Sequence, residues 1–547
     1  MMKASSTLLM AVALGASPAA HAAASRAPSV QNPAGSIEGS VEQGIRVFKG
    51  IPYAEPPVGP MRWMPPKPIQ PWGGIRKATA FGPACVQPRS AARSIYTNPP
   101  DRMSEDCLTL NIWAPPTPGK KPVIVWIHGG ALVAGYSHEK IYEGTRMAKR
   151  GDVVIVSINY RLGILGYLAH PELSAQSPDG TSGNYGLLDQ IEALKWVQRN
   201  VEAFGGDPAN VTIAGESAGA LSVMYLMASP KARGLFHKAV AQSAYMITTP
   251  ELKSDRHGMP SAEKAGAAIA SALGGKDLAA LRDMNAEDLT NAAAAKFYGP
   301  WGTVDGKILT RQLVDSWDYG EQAPVPLLAG FNSGEIRSLK MLLPPAPANA
   351  DAYETVINER YGDLASVFLR LYPSSDVKEA MLATTRDALY GWTAQRLAIG
   401  QTAVGQQAYL YLFDHGYPAA TEADLHAFHA AEIPYVFGTA GSTPPLWPKI
   451  PDGGTDRRLS DAMMDYWIGF AKTGAPSASG EPDWQAYGAA GHYMAFAGTP
   501  RPSTKLYPGM FALHEAAMCR RRAAGDQPWN WNAGVISPPL KKAAGCR

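Results

Sequence analysis

Residues 211–219 constrain the fold of this 547-residue chain more than any other segment. Val211-Thr212-Ile213-Ala214 is a short apolar, β-branched run that leads without a linker into Gly215-Glu216-Ser217-Ala218-Gly219, and the helix-compatible Ala220-Leu221-Ser222-Val223-Met224 follows at once. A strand that turns into a helix over five residues needs glycine wherever a Cβ would strike neighbouring backbone. Such a turn leaves the central serine exposed at the strand's end, at the positive end of the following helix. Upstream, Leu187, Ile191, Leu194, Val197 and Val201 recur with the spacing of one helix face, and Gly205-Gly206-Asp207-Pro208 ends that helix. Strand, helix and strand at this spacing predict a βαβ unit and a parallel sheet. Further short apolar runs at 123–127, 153–156, 326–330 and 409–413, bounded by turn residues, read as buried strands. The fold class is therefore α/β, with a mostly parallel central sheet flanked by helices.

A Gly-x-Ser-x-Gly pentapeptide alone is equally a helix N-cap. Its neighbours give it chemistry. His128-Gly129-Gly130-Ala131 follows the run 123–127. Two adjacent glycines let the backbone approach a substrate, and the amides of Gly129, Gly130 and Ala218 can point at a developing oxyanion. A serine hydroxyl also needs a base, and the base an orienting carboxylate, in the chain order serine, acid, histidine. Glu335 follows the run ending at Gly330-Phe331, and His426 and His429 follow the run ending at Phe413. Open α/β sheets place their ligand sites in such loops. Spacing chooses neither between His426 and His429 nor between Glu335 and Asp305.

With 46% hydrophobic and 18% charged residues the chain can bury a large core, which excludes a disordered protein. A net charge of +3 and the lack of a long Lys/Arg run argue against a nucleic-acid partner, and Arg520-Arg521-Arg522 reads as a surface patch. Lys3, the apolar stretch 8–15 and Ala20-His21-Ala22 predict a signal peptide over 1–22, with Ala23 as the first mature residue. No later run is long enough to span a membrane. A secreted or periplasmic location is expected. Four cysteines fit an oxidising compartment and fall into two local pairs, Cys85 with Cys107 and Cys519 with Cys546, although spacing does not choose among the three pairings. The Ala-rich stretch 261–297 reads as surface helices of a cap, 344–350 as a loop, and 525–540, with Trp529 and Trp531, as turn-rich. A single domain over 23–547 is expected, with cap helices within 245–440 and an irregular tail over 520–547.

Together these segments resemble the type-B carboxylesterases of the α/β-hydrolase superfamily, which also contains the cholinesterases. The likeness runs through Phe48-Lys49-Gly50-Ile51-Pro52-Tyr53-Ala54 with Pro56-Pro57, and through Ser104-Glu105-Asp106-Cys107-Leu108-Thr109-Leu110-Asn111-Ile112. It continues in His128-Gly129-Gly130, Asn159-Tyr160-Arg161, Asn184-Tyr185-Gly186-Leu187-Leu188-Asp189-Gln190 and Phe204-Gly205-Gly206-Asp207-Pro208, which runs into the serine motif. The resemblance implies a triad of Ser217, Glu335 and His429. Gly334-Glu335-Ile336 stands at the family's acid position, with different flanking residues. His429 precedes Glu432-Ile433-Pro434-Tyr435-Val436-Phe437-Gly438 at the family's spacing, which selects it over His426.

The resemblance further implies oxyanion donors at Gly129, Gly130 and Ala218, a disulfide between Cys85 and Cys107, and a supporting role for Ser243, where Ala244 replaces the family's usual glycine. Asp189, Arg161 and Glu216 read as residues that hold the fold. The expected activity is hydrolysis of small-molecule carboxylic esters through an acyl-enzyme, with no metal or organic cofactor. Other readings are a non-catalytic binding or adhesion member, and an acyltransferase or amidase using the same triad. The loop between Cys85 and Cys107 has no tryptophan, which disfavours choline esters. Arg337 and Lys340 read as exposed surface or as partners for a substrate carboxylate. The sequence carries no signal for oligomeric state.

Overall fold

A computed structural model describes residues 27–89, 95–96, 98–275, 277–529 and 532–546. The expected signal peptide, its cleavage point and Trp531 lie outside the described residues.

Eleven strands form the main sheet. In chain order they are β1 (Ser40–Glu42), β2 (Ile45–Pro52), β3 (Thr109–Ala114), β4 (Lys121–Ile127), β5 (Val154–Ile158), β6 (Gly206–Glu216), β7 (Lys238–Gln242), β8 (Leu327–Asn332), β9 (Ala408–Phe413), β10 (His492–Phe496) and β11 (Pro500–Thr504). Their order across the sheet is β11-β10-β9-β8-β7-β6-β4-β5-β3-β2-β1. The run from β10 to β5 is parallel, and antiparallel strands close both edges. β4, β6 and β8 are Val-, Ile- and Leu-rich because both faces of a parallel sheet are covered by helices, so no face alternates to polar.

Helix α1 (Tyr185–Asn200) buries Leu187, Ile191, Leu194 and Val197, the face anticipated from their spacing. Helix α2 (Ala218–Ala228) is buried along its whole length beneath β6 and β7. The Ala-rich stretch does form helices, Ala262–Ala272, Leu278–Asp283 and Ala286–Ala295. Ser261, Asp277 and Asn285 cap them by accepting from backbone amides of the first turn. All three pack in a separate apolar cluster with Trp63, Ile164 and Leu165.

Two disulfides are present, Cys85–Cys107 and Cys519–Cys546. The last long helix, α3 (Met510–Ala524), runs into the segment expected to be irregular, so the irregular part begins at Gly525. The reading of Arg520-Arg521-Arg522 as a surface patch needs correction. Arg520 and Arg521 are buried. Arg520 pairs with Asp363 at 2.8 Å, Arg522 with Asp318 at 2.7 Å, and Arg521 donates to Trp529 O and Ser537 Oγ, both at 2.8 Å. Charge runs are solvated by default, but here carboxylates and tail carbonyls replace the water and tie the C-terminal segment to the body.

Candidate active site

The site lies where β4, β6, β7 and β8 end together. Ser217 follows β6 with φ 55° and ψ −121°, outside the ordinary right-handed region, and α2 begins at the next residue. Its amide donates to Gln242 O at 2.9 Å, which binds the turn to the end of β7. The flanking glycines are steric necessities. A Cβ on Gly219 would stand 2.1 Å from Ile127 O, and one on Gly215 would stand 2.5 Å from the Gly219 carbonyl carbon. A non-glycine residue held in this region stores about 1–3 kcal/mol, a strain characteristic of functional sites.

The turn after β4 lies directly alongside. A Cβ on Gly129 would come within 3.3 Å of Ser217 Cβ. Gly130 (φ 104°), Ala131 (φ 56°) and Leu132 (φ 60°) are all left-handed. Among the described residues, the amides of Gly129, Gly130 and Ala218 find no intramolecular acceptor other than what the helix itself supplies. His128 anchors the turn. Its ring stacks on Tyr160 at 4.5 Å, and its Nδ1 lies 2.9 Å from Gly129 O. Burial depresses the His128 imidazole to about 4, so it is neutral at ordinary pH.

Glu335 begins a short 3-10 turn after β8 and is fully buried. One carboxylate oxygen, Oε1, accepts from Ser243 Oγ at 2.6 Å and from the Asn332 amide at 2.8 Å. The other, Oε2, holds His429 Nδ1 in a very short contact. The two other readings of these residues are resolved by position. Asp305 accepts from the amides of Lys307, Ile308 and Leu309 and from Asn184, so it closes a local turn. His426 is 42% exposed at the surface beside Asp424. Arg337 pairs with Glu379 and Asp424, and Lys340, 53% exposed, lies 3.6 Å from Asp424, which Lys378 also contacts. Arg161 and Asp189 form a buried bidentate pair, as their reading as structural residues implies.

Glu216 departs from its expected role. Its Oε1 lies 3.1 Å from His429 Nε2, at ion-pair distance though not aligned as a hydrogen bond. A second buried carboxylate, Glu432, accepts from Gln242 Nε2 at 2.9 Å and Asn332 Nδ2 at 2.6 Å, and Gln242 in turn accepts from Trp467. Burial alone would keep His429 neutral, but Glu216 and Glu335 outweigh it and raise the imidazole to about 9. Burial raises Glu216 to about 8 against the pull of His429, with Glu432 and Glu335 adding to the rise. The direction follows from the geometry: one imidazole among three carboxylates gains protons easily.

Two tyrosines that no motif marks wall the imidazole. Tyr390 lies 5.4 Å from the His429 ring and Tyr96 meets it edge-on at 6.2 Å. Tyr245 packs edge-on against Tyr390 at 6.0 Å. Tyr390 sits in a π-helical turn, Asp387–Gly391, a geometry that recurs at functional sites. Two clefts of about 420 Å³ and 560 Å³ lie elsewhere, and neither is lined by Ser217 or His429.

A model of the Carboxylesterase family matches residues 26–510. Fumonisin B1 esterase of Sphingopyxis macrogoltabida is 36% identical over 482 residues, covering 84% of this chain and 85% of that protein. Para-nitrobenzyl esterase of Bacillus subtilis (strain 168) is 37% identical over 469 residues, covering 83% and 91% respectively. A solved structure of a PNB esterase superposes with a TM-score of 0.75 at 34% identity, covering 87% of this chain and 97% of that one. The chain belongs to the carboxylesterase family, has the α/β-hydrolase fold, and is a carboxylic ester hydrolase.

Proposed function

We propose that Ser217 is the nucleophile, His429 the general base and acid, and Glu335 the group that orients His429, in hydrolysis of small-molecule carboxylic esters through an acyl-enzyme. One observation carries this reading: the buried Glu335–His429 pair converges on a strained serine turn whose neighbour Gly129 stands within contact of Ser217 Cβ. In acylation His429 Nε2 takes the Ser217 proton, Oγ attacks the ester carbonyl, and the amides of Gly129, Gly130 and Ala218 receive the oxyanion. His429 then protonates the leaving alcohol and activates water for the second half. Ser243 supports Glu335 through its hydroxyl. The two disulfides support export of the chain, with residues 1–22 as its signal peptide.

A fluorophosphonate probe followed by peptide mass mapping tests the assignment. The label is expected on Ser217. An active enzyme that stays unlabelled there would sink the triad.

The charge around His429 sets the pH dependence. The base must be neutral to accept a proton, so kcat/KM is expected to rise with pH along an acid limb centred above the free-histidine value of 6.5. Removing a negative neighbour disfavours the imidazolium. Glu216→Gln is therefore expected to move that limb to lower pH, by roughly one pH unit. Paired kcat/KM profiles of the two proteins would show it, and an unmoved limb would remove Glu216 from the electrostatics of the base.

A further inference from the structure

One buried side-chain amide links the turn of Glu335 to the segment of His429. It belongs to Asn332, the last residue of β8, which is fully buried. The Asn332 backbone amide donates to Glu335 Oε1 at 2.8 Å. Its side-chain Nδ2 donates to Phe428 O at 2.8 Å, one residue before His429, and to Glu432 Oε2 at 2.6 Å. The other Glu432 oxygen accepts from Gln242 Nε2 at 2.9 Å, and Gln242 O accepts the Ser217 amide at 2.9 Å. Gln242 and Glu432 are fully buried as well. A continuous polar path therefore joins the nucleophile turn, the acid turn and the base segment, although neither Asn332 nor Glu432 has a part in the proposed reaction.

The chemistry of the amide fixes its orientation. Nδ2 carries two hydrogens, and Phe428 O and Glu432 Oε2 take both. Oδ1 finds no partner among the described residues. Turning the amide over would set Oδ1 against two acceptor oxygens. The bond to Glu432 is charge-assisted, and a dry interior strengthens it. The backbone adds one further tie: the Gly334 amide donates to Ala427 O at 2.9 Å, and Gly334 pairs with Phe428 in an isolated parallel bridge. Glu335 and His429 are 94 residues apart in sequence. Their contact lasts only while these two segments keep one register.

We propose that Asn332 is a positioning residue of the triad, its Nδ2 holding the segment of His429 against the turn of Glu335 in the register where Glu335 Oε2 meets His429 Nδ1. This rests on Ser217, His429 and Glu335 as the triad. Asn332 acts through the last two. Without Nδ2, Phe428 O and Glu432 each lose a donor, and the imidazole is free to shift from its carboxylate. A misplacement of about 1 Å can cost on the order of 10²-fold in rate.

The test is Asn332→Ala, which removes both side-chain donors and leaves the backbone amide to Glu335 in place. It is made alone and together with Glu335→Gln. Thermal melts of the same preparations give the folded fraction, and p-nitrophenyl acetate hydrolysis is expressed per folded enzyme. In the parent background kcat is expected to fall by about thirtyfold, with KM within roughly twofold. In the Glu335→Gln background the same change is expected to cost less than about threefold, because the contact that Asn332 protects is already broken. Equal losses in the two backgrounds, or a kcat within about threefold of the parent, would overturn the proposal. If Asn332→Ala yields no folded enzyme, Asn332→Thr, closer in volume and with one donor hydrogen in place of two, is read by the same comparison. A Glu335→Gln enzyme within tenfold of the parent would instead overturn the triad beneath the proposal.

Discussion

Ser217→Ala is expected to lower kcat by a factor on the order of 10⁴ or more while leaving the fold intact. The loss is large because every covalent step of the proposed mechanism passes through Oγ. The fold is spared because the strain of the turn belongs to the backbone. Alanine and serine carry the same Cβ, the amide bond to Gln242 O is untouched, and Gly215 and Gly219 still clear Ile127 and its neighbours. Turnover of p-nitrophenyl acetate and a thermal melt on the same preparation check both halves. Near-normal turnover would refute the nucleophile, and a collapsed melt would show that the hydroxyl is structural.

Glu335→Gln is expected to cost about 10³–10⁴ in kcat with little change in shape. The reason lies in how the carboxylate is shared. Ser243 and the Asn332 amide both donate to Oε1, so the glutamine carbonyl oxygen is held on that side. The amide NH₂ then faces His429 Nδ1, where Oε2 now accepts. A donor there stabilises the tautomer with its hydrogen on Nε2, and that imidazole cannot take the Ser217 proton. It also offers no negative charge to the imidazolium formed in the transition state. Steady-state kinetics with the same ester would decide, and a variant within tenfold of the parent would remove Glu335 from the triad.

How much of this was legible beforehand differs from residue to residue. The serine turn was legible because its cause is local: a β-branched strand, two glycines and a helix start within a dozen residues. The covered parallel sheet was legible for a similar reason, since strands buried on both faces read as continuous apolar runs. His429 and His426 were indistinguishable from spacing, as they share one loop, and the resemblance to a family made the choice. In the structure His426 faces solvent, and His429 lies beside Tyr390 and against Glu335. Glu216 was read as structural, and sequence says nothing of a histidine brought beside it from a distant loop.

Arg520-Arg521-Arg522 was misread for the complementary reason. A run of charges looks solvated until Asp363, Asp318 and the tail carbonyls arrive from elsewhere. By itself the sequence determined the strand–turn–helix that presents Ser217, the glycine pair beside it and the order of the groups that follow, because backbone sterics and hydrophobic periodicity act over a few residues. Only the tertiary structure decided which carboxylates surround His429 and which tyrosines wall it. Those contacts join strand ends far apart along the chain, and their energies come from burial and charge in a space that no single segment encloses.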